Sequence, residues 1–322
     1  MILVGSDIFI GDATKGLNHY IPQPSDTPNP DPVNAGTLVF DNNQGTSLPA
    51  GTCVGLCQIG QVVFDGNTNV YLSSYVSTVR GRPTGNAGGP GVWHFTTTPA
   101  NPLLGVPARV VNGQQIAPNA GLSSNSPTAV ALGPDGQLYV GFLQNGNIVR
   151  ISNPQALNAA PTQVVQSVGR SPNGRPVRAL VFVGSDLYIA SSDSLSVIKN
   201  ATAATCTGGC NAVALADGLS GQDHVGLATD GINRVYEAVN GSGVIRYSIA
   251  SNSTSVVSNS GLSPTTQEAV SYSFVAGHSN LLFLDRLGNL WVGDDTSGGA
   301  AANTGRLWYI SAAQLGTLPA AP

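Results

Sequence analysis

Ionised side chains are scarce in this 322-residue chain, where Asp, Glu, Lys and Arg together make up 9%, against roughly 25% in ordinary soluble domains. The net charge of −4 contains no basic stripe and no run of like charges. A nucleic-acid surface or a patch for anionic membranes therefore finds no support. No apolar run approaches the ~20 residues that a membrane-spanning helix needs. Helical periodicity is almost absent, and Ser311–Leu315 offers a turn at most. Three catalytic signatures are missing: the Gly-x-Ser-x-Gly elbow, His-Glu-x-x-His and a phosphate loop ending Gly-Lys-Ser/Thr. No leader is legible either, because Met1 opens almost directly on an apolar strand. That suits a mature chain from which a leader has been removed.

Turn chemistry is what the chain has in abundance, with 40 Gly and 21 Pro. It is clearest at Thr128–Ser152, where Ala129–Leu132 runs into Pro134-Asp135-Gly136 and then into Leu138–Phe142. A polar loop (Gln144–Asn147) and a third strand (Ile148–Ile151) follow. Asp-Gly between alternating β-branched and aromatic residues is a strong hairpin signal, because Gly accepts φ > 0 at the turn.

The same phrase recurs, with second strands opening at Ile8, Val70, Leu138, Leu187, Val235 and Leu290. A supersecondary unit of roughly 40–50 residues with loop insertions marks a propeller blade. Outer strands are expected at Gly36–Asp41, Ala108–Gln114, Gln163–Val168, Asn211–Ala216 and Thr254–Asn259. The expectation is a single all-β domain over 1–322, a six-bladed β-propeller of four-stranded antiparallel blades around a channel. Blades fall near 1–45, 58–118, 126–170, 177–218, 223–260 and 268–316. A fourth strand for the last blade is not evident, so the way the ring closes is left open. Two insertions, Gln23–Ala35 and Arg80–Gly91, read as solvated loops or as carriers of specificity on a rigid scaffold.

The four cysteines form two Cys-x-x-x-Cys loops, Cys53–Cys57 and Cys206–Cys210. Two local disulfides are expected, and with the low charge they suggest a secreted or periplasmic protein. The rival is one metal site of four thiolates, but the blade assignment puts the two pairs on opposite faces of the propeller.

The start of each innermost strand and the loop after each second strand share one face of a propeller and ring its channel mouth. The strand starts supply Gln58, Asn125, Arg178, Asp223, His224 and Glu268. The loops supply Asp12, Tyr75, Gln144, Asp193, Asn240, Asp294 and Asp295. In a chain so poor in charge, Arg178, Asp223, His224 and Glu268 form a candidate catalytic cluster. There His224 would act as base or metal ligand, the carboxylates as acid/base groups or ligands, and Arg178 as an anion clamp. The alternative is a set of polar side chains that solvate a channel and pair with one another. His94 and His19 read as strand-face residues and His278 as part of a turn. Asp65-Gly-Asn67-Thr-Asn69 has the opening spacing of a calcium loop, but its twelfth position is Val76 and its place is a hairpin turn. Asn200, Asn240 and Asn252 begin formal glycan acceptor triplets, meaningful in a eukaryotic source.

Gly133-Pro-Asp-Gly-Gln-Leu-Tyr-Val140, with Gly146-Asn-Ile-Val-Arg150 after it, resembles the repeat of NHL-type six-bladed propellers. It also resembles the related gluconolactonase/senescence-marker and strictosidine-synthase-like propellers. The rhythm covers most of the chain, and its motifs are structural. The gluconolactonase resemblance implies a divalent cation, such as Ca2+, held at the channel mouth by Glu, Asn and Asp, and hydrolysis of lactones. Asn125 and Asp223 could stand for the Asn and Asp, and Glu268 is a further carboxylate. The first inner strand, however, opens Met1-Ile2 with no Glu in place. Soluble quinoprotein sugar dehydrogenases share the six-bladed form, though no matching His/Arg quinone motif is found. The leading expectation is a binding or scaffolding module with a small organic ligand or protein partner at the channel face. A lactonase-type metal hydrolase is the second reading and a quinone-dependent sugar dehydrogenase the third.

Overall fold

The computed structural model describes residues 2–4, 7–12, 16–20, 37–40, 57–76, 91–96, 108–112, 127–155, 164–206, 209–239, 242–259, 282–294, 306–310 and 312–316. Their strands form six sheets, most of them four-stranded and antiparallel between consecutive strands. The first contains β1 (Ile2–Val4), β2 (Asp7–Asp12), β3 (Gly16–Tyr20) and β4 (Thr37–Phe40). The second contains β5 (Cys57–Phe64), β6 (Asn69–Val76), β7 (Gly91–Thr96) and β8 (Ala108–Asn112). The third contains β9 (Pro127–Leu132), β10 (Leu138–Phe142), β11 (Asn147–Ile151) and β12 (Val165–Arg170).

The fourth sheet is built from β13 (Val177–Val183), β14 (Asp186–Ser191) and β15 (Leu195–Ile198). After the short strand β16 (Cys210–Asn211), β17 (Val213–Ala214) completes it. In the fifth, β18 (His224–Thr229), β19 (Arg234–Val239), β20 (Gly243–Ser248) and β21 (Ser253–Asn259) follow in order. The sixth has three described strands, β22 (Leu282–Leu284), β23 (Leu290–Asp294) and β24 (Arg306–Ile310), and a single-turn helix α1 (Ala312–Gly316) follows it. Each second strand begins at its expected position or one residue before it.

One expected element divides. Asn211–Ala216 reads as a single outer strand, but only Val213 and Ala214 pair with the fourth sheet. Cys210 and Asn211 instead pair in parallel with Gly169 and Arg170 of the third. The approach depends on Gly169: a Cβ there would collide with the Cys210 carbonyl. The loop between Asn200 and Asn211 thus leans back on the preceding sheet, closed by the Cys206–Cys210 disulfide. Cys53, and with it the other expected disulfide, lies outside the described residues.

The core lies between sheets. The residue after the opening apolar position of the second strand is aromatic each time, and Tyr71, Tyr139, Tyr188 and Tyr236 are all at most 1% exposed. Tyr71 packs with Val130, Leu138 and Val140 of the third sheet, and Tyr139 with Leu180, Leu187 and Ile189 of the fourth. Tyr188 meets Leu227, Val235 and Tyr247 of the fifth, and Tyr236 meets Leu282, Leu290 and Val292 of the sixth. The second to fifth sheets thus each seal against their successor with a large ring, worth roughly 1.5–3 kcal/mol per buried side chain. Side-by-side sheets that bury their faces against their neighbours are the packing of a propeller.

The first strands of five sheets border an open cavity of about 230 Å³, lined by residues 61–63, 130–132, 180–182, 227–229 and 282–284. These residues occupy the later halves of β5, β9, β13 and β18, so the cavity lies nearer the hairpin turns than the strand starts.

Candidate functional site

Hairpin turns at the far end of the first strands are held by aspartates. Asp65 Oδ1 accepts from the backbone N–H groups of Asn67, Thr68 and Asn69 at 2.8, 2.9 and 2.9 Å. Asp230 Oδ1 does the same for Ile232, Asn233 and Arg234, each at 2.9 Å. Asp285 Oδ1 serves Leu287 and Asn289, while its Oδ2 takes the Asn289 amide and the indole N–H of Trp291 at 3.0 Å. Burial works to raise the pKa of Asp65, but hydrogen bonds from the Asn69 side chain and the turn amides outweigh it, and the net shift is downward. With its lone pairs committed to backbone donors, Asp65 acts here as a turn residue. His94 is likewise part of its sheet: it stacks on Tyr71 and its Nε2 lies 2.8 Å from Asn69 Oδ1.

Above the cavity, Gln61 spans between sheets. Its Nε2 donates to the Leu180 carbonyl at 2.6 Å and its Oε1 accepts from the Leu180 N–H at 2.9 Å. One amide side chain thereby satisfies both backbone groups of a residue 119 positions away. Together with Leu180 it forms the polar end of a cavity whose other lining is aliphatic or aromatic save for Thr229. No described lining residue is charged.

At the strand starts, Arg178 and Asp223 meet in a two-pronged ion pair, Nε to Oδ1 at 3.1 Å and Nη2 to Oδ2 at 3.2 Å. Their side chains are 14% and 17% exposed, so the pair is sheltered yet accessible. Asp193 accepts from Ser191, Ser194 and Arg175 between β14 and β15. Gln144 is exposed in the turn between β10 and β11. Gln58 and Tyr75 face one another in the register of β5 and β6, and Asp294 ends β23 opposite Arg306. Asn125, Asn240, Glu268 and Asp295 lie outside the described residues.

His224 does not join Arg178 and Asp223. Its ring is fully buried, with Nδ1 at 2.7 Å from Glu237 Oε2. Nε2 lies 3.4 Å from the Leu219 carbonyl and 3.9 Å from Asp217 Oδ2. Burial pulls the imidazole toward its neutral form, but the hydrogen bond and charge of Glu237, the charge of Asp217 and the Leu219 carbonyl prevail and raise its pKa. Burial raises the pKa of Glu237, with His224 acting against it. Asp217, His224 and Glu237 place one ligand atom each within 4.8 Å of one another, a set of donors that suits a metal ion.

Gln61, Asp217 and Glu237 were not singled out from the sequence. Glu237 had a signal, a carboxylate in the middle of the apolar run Val235–Val239 in a chain with few charges. Asp217 had none, since it lies in a loop with no motif around it.

Neither a family model nor a curated protein matches the chain. Solved structures do. A structural-genomics protein of unknown function from Bacteroides thetaiotaomicron aligns with a TM-score of 0.57 at 14% identity, over 96% of this chain and 68% of that one. The extracellular domain ascribed to a hybrid two-component system of B. thetaiotaomicron aligns with a TM-score of 0.50 at 16% identity, over 95% of this chain and 37% of that one. A gluconolactonase from Xanthomonas campestris reaches a TM-score of 0.44 at 11% identity, over 72% of this chain and 65% of that one, too low to carry an argument. At such identities a likeness speaks for architecture alone. That architecture is all-β, with several four-stranded antiparallel sheets of the kind that build a β-propeller.

Proposed function

We propose that the chain is a six-bladed propeller that serves as a secreted or periplasmic binding module, with a small, uncharged organic ligand taken up on its axis. The observation that carries this reading is the cavity of about 230 Å³ between the first strands of five sheets, lined by uncharged, mostly aliphatic and aromatic residues whose exposed surface is polar and apolar in similar measure. Ligand pockets usually measure about 300–1,000 Å³, so the ligand would be a single-ring or terpene-sized molecule, or one group of a larger partner. The described charges at the strand starts favour binding over catalysis. Arg178 and Asp223 neutralise each other, and such a pair gives a clamp for polar groups more readily than a free base. The Cys206–Cys210 disulfide supports an oxidising compartment.

A thermal-shift and calorimetric screen of uncharged aromatics and terpenes tests the reading. A bound compound should lose at least about tenfold in affinity in Leu132→Trp, whose indole would fill the cavity, because tenfold corresponds to only about 1.4 kcal/mol of lost contact. No binder across the screen, or binding untouched by Leu132→Trp, would overturn it. Turnover of simple lactones with added Ca2+, abolished in Asp223→Ala, would put the hydrolase in its place.

A further inference from the structure

The cluster of Asp217, His224 and Glu237 stands apart from the axial cavity, and the binding reading makes no use of it. Asp217 follows β17, His224 opens β18 and Glu237 lies on β19, so the cluster sits where the fourth sheet hands over to the fifth. All three side chains are more than nine-tenths buried. Glu237 Oε2, at 2.7 Å, accepts a hydrogen bond from His224 Nδ1–H. In the neutral Nδ1–H tautomer the opposite nitrogen, Nε2, offers a lone pair beside two oxygens, the Leu219 carbonyl at 3.4 Å and Asp217 Oδ2 at 3.9 Å.

Among the described residues, Asp217 Oδ2 and Glu237 Oε1 are sealed from solvent without a hydrogen-bond partner. With both carboxylates ionised, even a fully protonated imidazole leaves one negative charge uncompensated. Buried charges are normally paired or bound to metal. We propose that this cluster is a structural site for a divalent cation of the Zn2+ class, ligated by His224 Nε2, Asp217 Oδ2 and the Leu219 carbonyl.

The spacing suits such an ion. With ligand bonds of about 2.0–2.2 Å, donors 3.4 Å apart subtend a near-tetrahedral angle at the metal. The 3.9 Å pair asks for a somewhat wider one, which a small inward shift of Asp217 closes. Glu237 then completes a carboxylate–histidine–metal relay, fixing the tautomer and the plane of the ring. The ion would pin the loop after β17 to the first two strands of the fifth sheet, and its loss would loosen that junction without altering the axial cavity.

The test uses the intact chain, purified without chelator, assayed for metal by mass spectrometry, and titrated with Co2+ and Zn2+ after mild chelation. The expected results are one equivalent of metal, a visible Co2+ spectrum of nitrogen and oxygen ligation, and a raised melting temperature on Zn2+ addition. Asp217→Asn should weaken binding strongly, and Glu237→Gln by about 10–100-fold, as outer-sphere partners do. Should the variants fail to fold, the wild-type stoichiometry and spectrum decide. A folded wild type that takes up no Co2+ or Zn2+ overturns the proposal and leaves a protonated imidazole between carboxylates. A thiolate charge-transfer band, or binding that survives Asp217→Asn and His224→Gln alike, places the metal elsewhere and overturns it too.

Discussion

The hairpin turns of the innermost strands and the contacts between those strands are built by different rules. At the turn end, carboxylates of Asp65, Asp230 and Asp285 bind amides two to four residues further on. At the strand starts and along the strands themselves the partners are remote in sequence: Arg178 with Asp223 across 45 positions, and Gln61 with Leu180 across 119. Local turns form wherever the short motif occurs. The remote contacts exist only once the sheets stand side by side, so they report on assembly and are the better place to build a site. The cavity between the first strands, where binding is proposed, depends on that second class.

The sharpest way to test this contrast is to remove a remote buried partner. His224→Ala leaves Asp217 and Glu237 facing each other in the core, and should cost about 3–5 kcal/mol in urea-unfolding measurements. A loss below about 1 kcal/mol would mean that the junction tolerates the charges. Gln61→Ala strips both backbone groups of Leu180 of their partner and should destabilise by about 2–3 kcal/mol. The equivalent cut at the turn end, Asp285→Ala, removes the acceptor that Trp291 Nε1 and two turn amides share. It should cost about 2 kcal/mol, with hydrogen-exchange protection lost in β22 and β23 and kept elsewhere. Protection lost across several sheets would break the contrast between local and remote.

Arg178→Ala touches a pair that solvent still reaches, so about 1 kcal/mol or less is expected, shrinking as salt rises. The smallest effect concerns acid. Asp65 has a folded pKa below its ordinary 3.8, so its stabilising contribution is fully present above that value and fades as the pH falls through the lower folded one. Asp65→Asn should flatten the acid limb of the stability curve and leave its course above pH 5 unchanged.

Much of the architecture was legible because each hairpin is specified by its own residues. Asp135-Gly136 with Tyr139, and the same phrase at the other turns, placed every second strand to within a residue. The sites resisted such reading for a physical reason. Asp223 and His224 are neighbours in the chain and suggest one cluster. Successive residues entering a strand point to opposite sides, and an irregular register between His224 and Gly226 sets the ring against Glu237. Asp223 goes to Arg178 instead. The division of Asn211–Ala216 into β16 and β17 has a similar origin, since only the bare edge at Gly169 lets Cys210 approach.

The chain by itself determined its repeat, its turns, its low charge and the aromatic ring that each sheet offers its neighbour, because these are local in sequence and governed by backbone sterics and apolar burial. Only the tertiary structure decided that an uncharged cavity lies between the first strands of five sheets and that Gln61 reaches across to Leu180. It also decided that two carboxylates and an imidazole share a buried junction. Those outcomes depend on which sheet stands beside which, and no local pattern of residues encodes that.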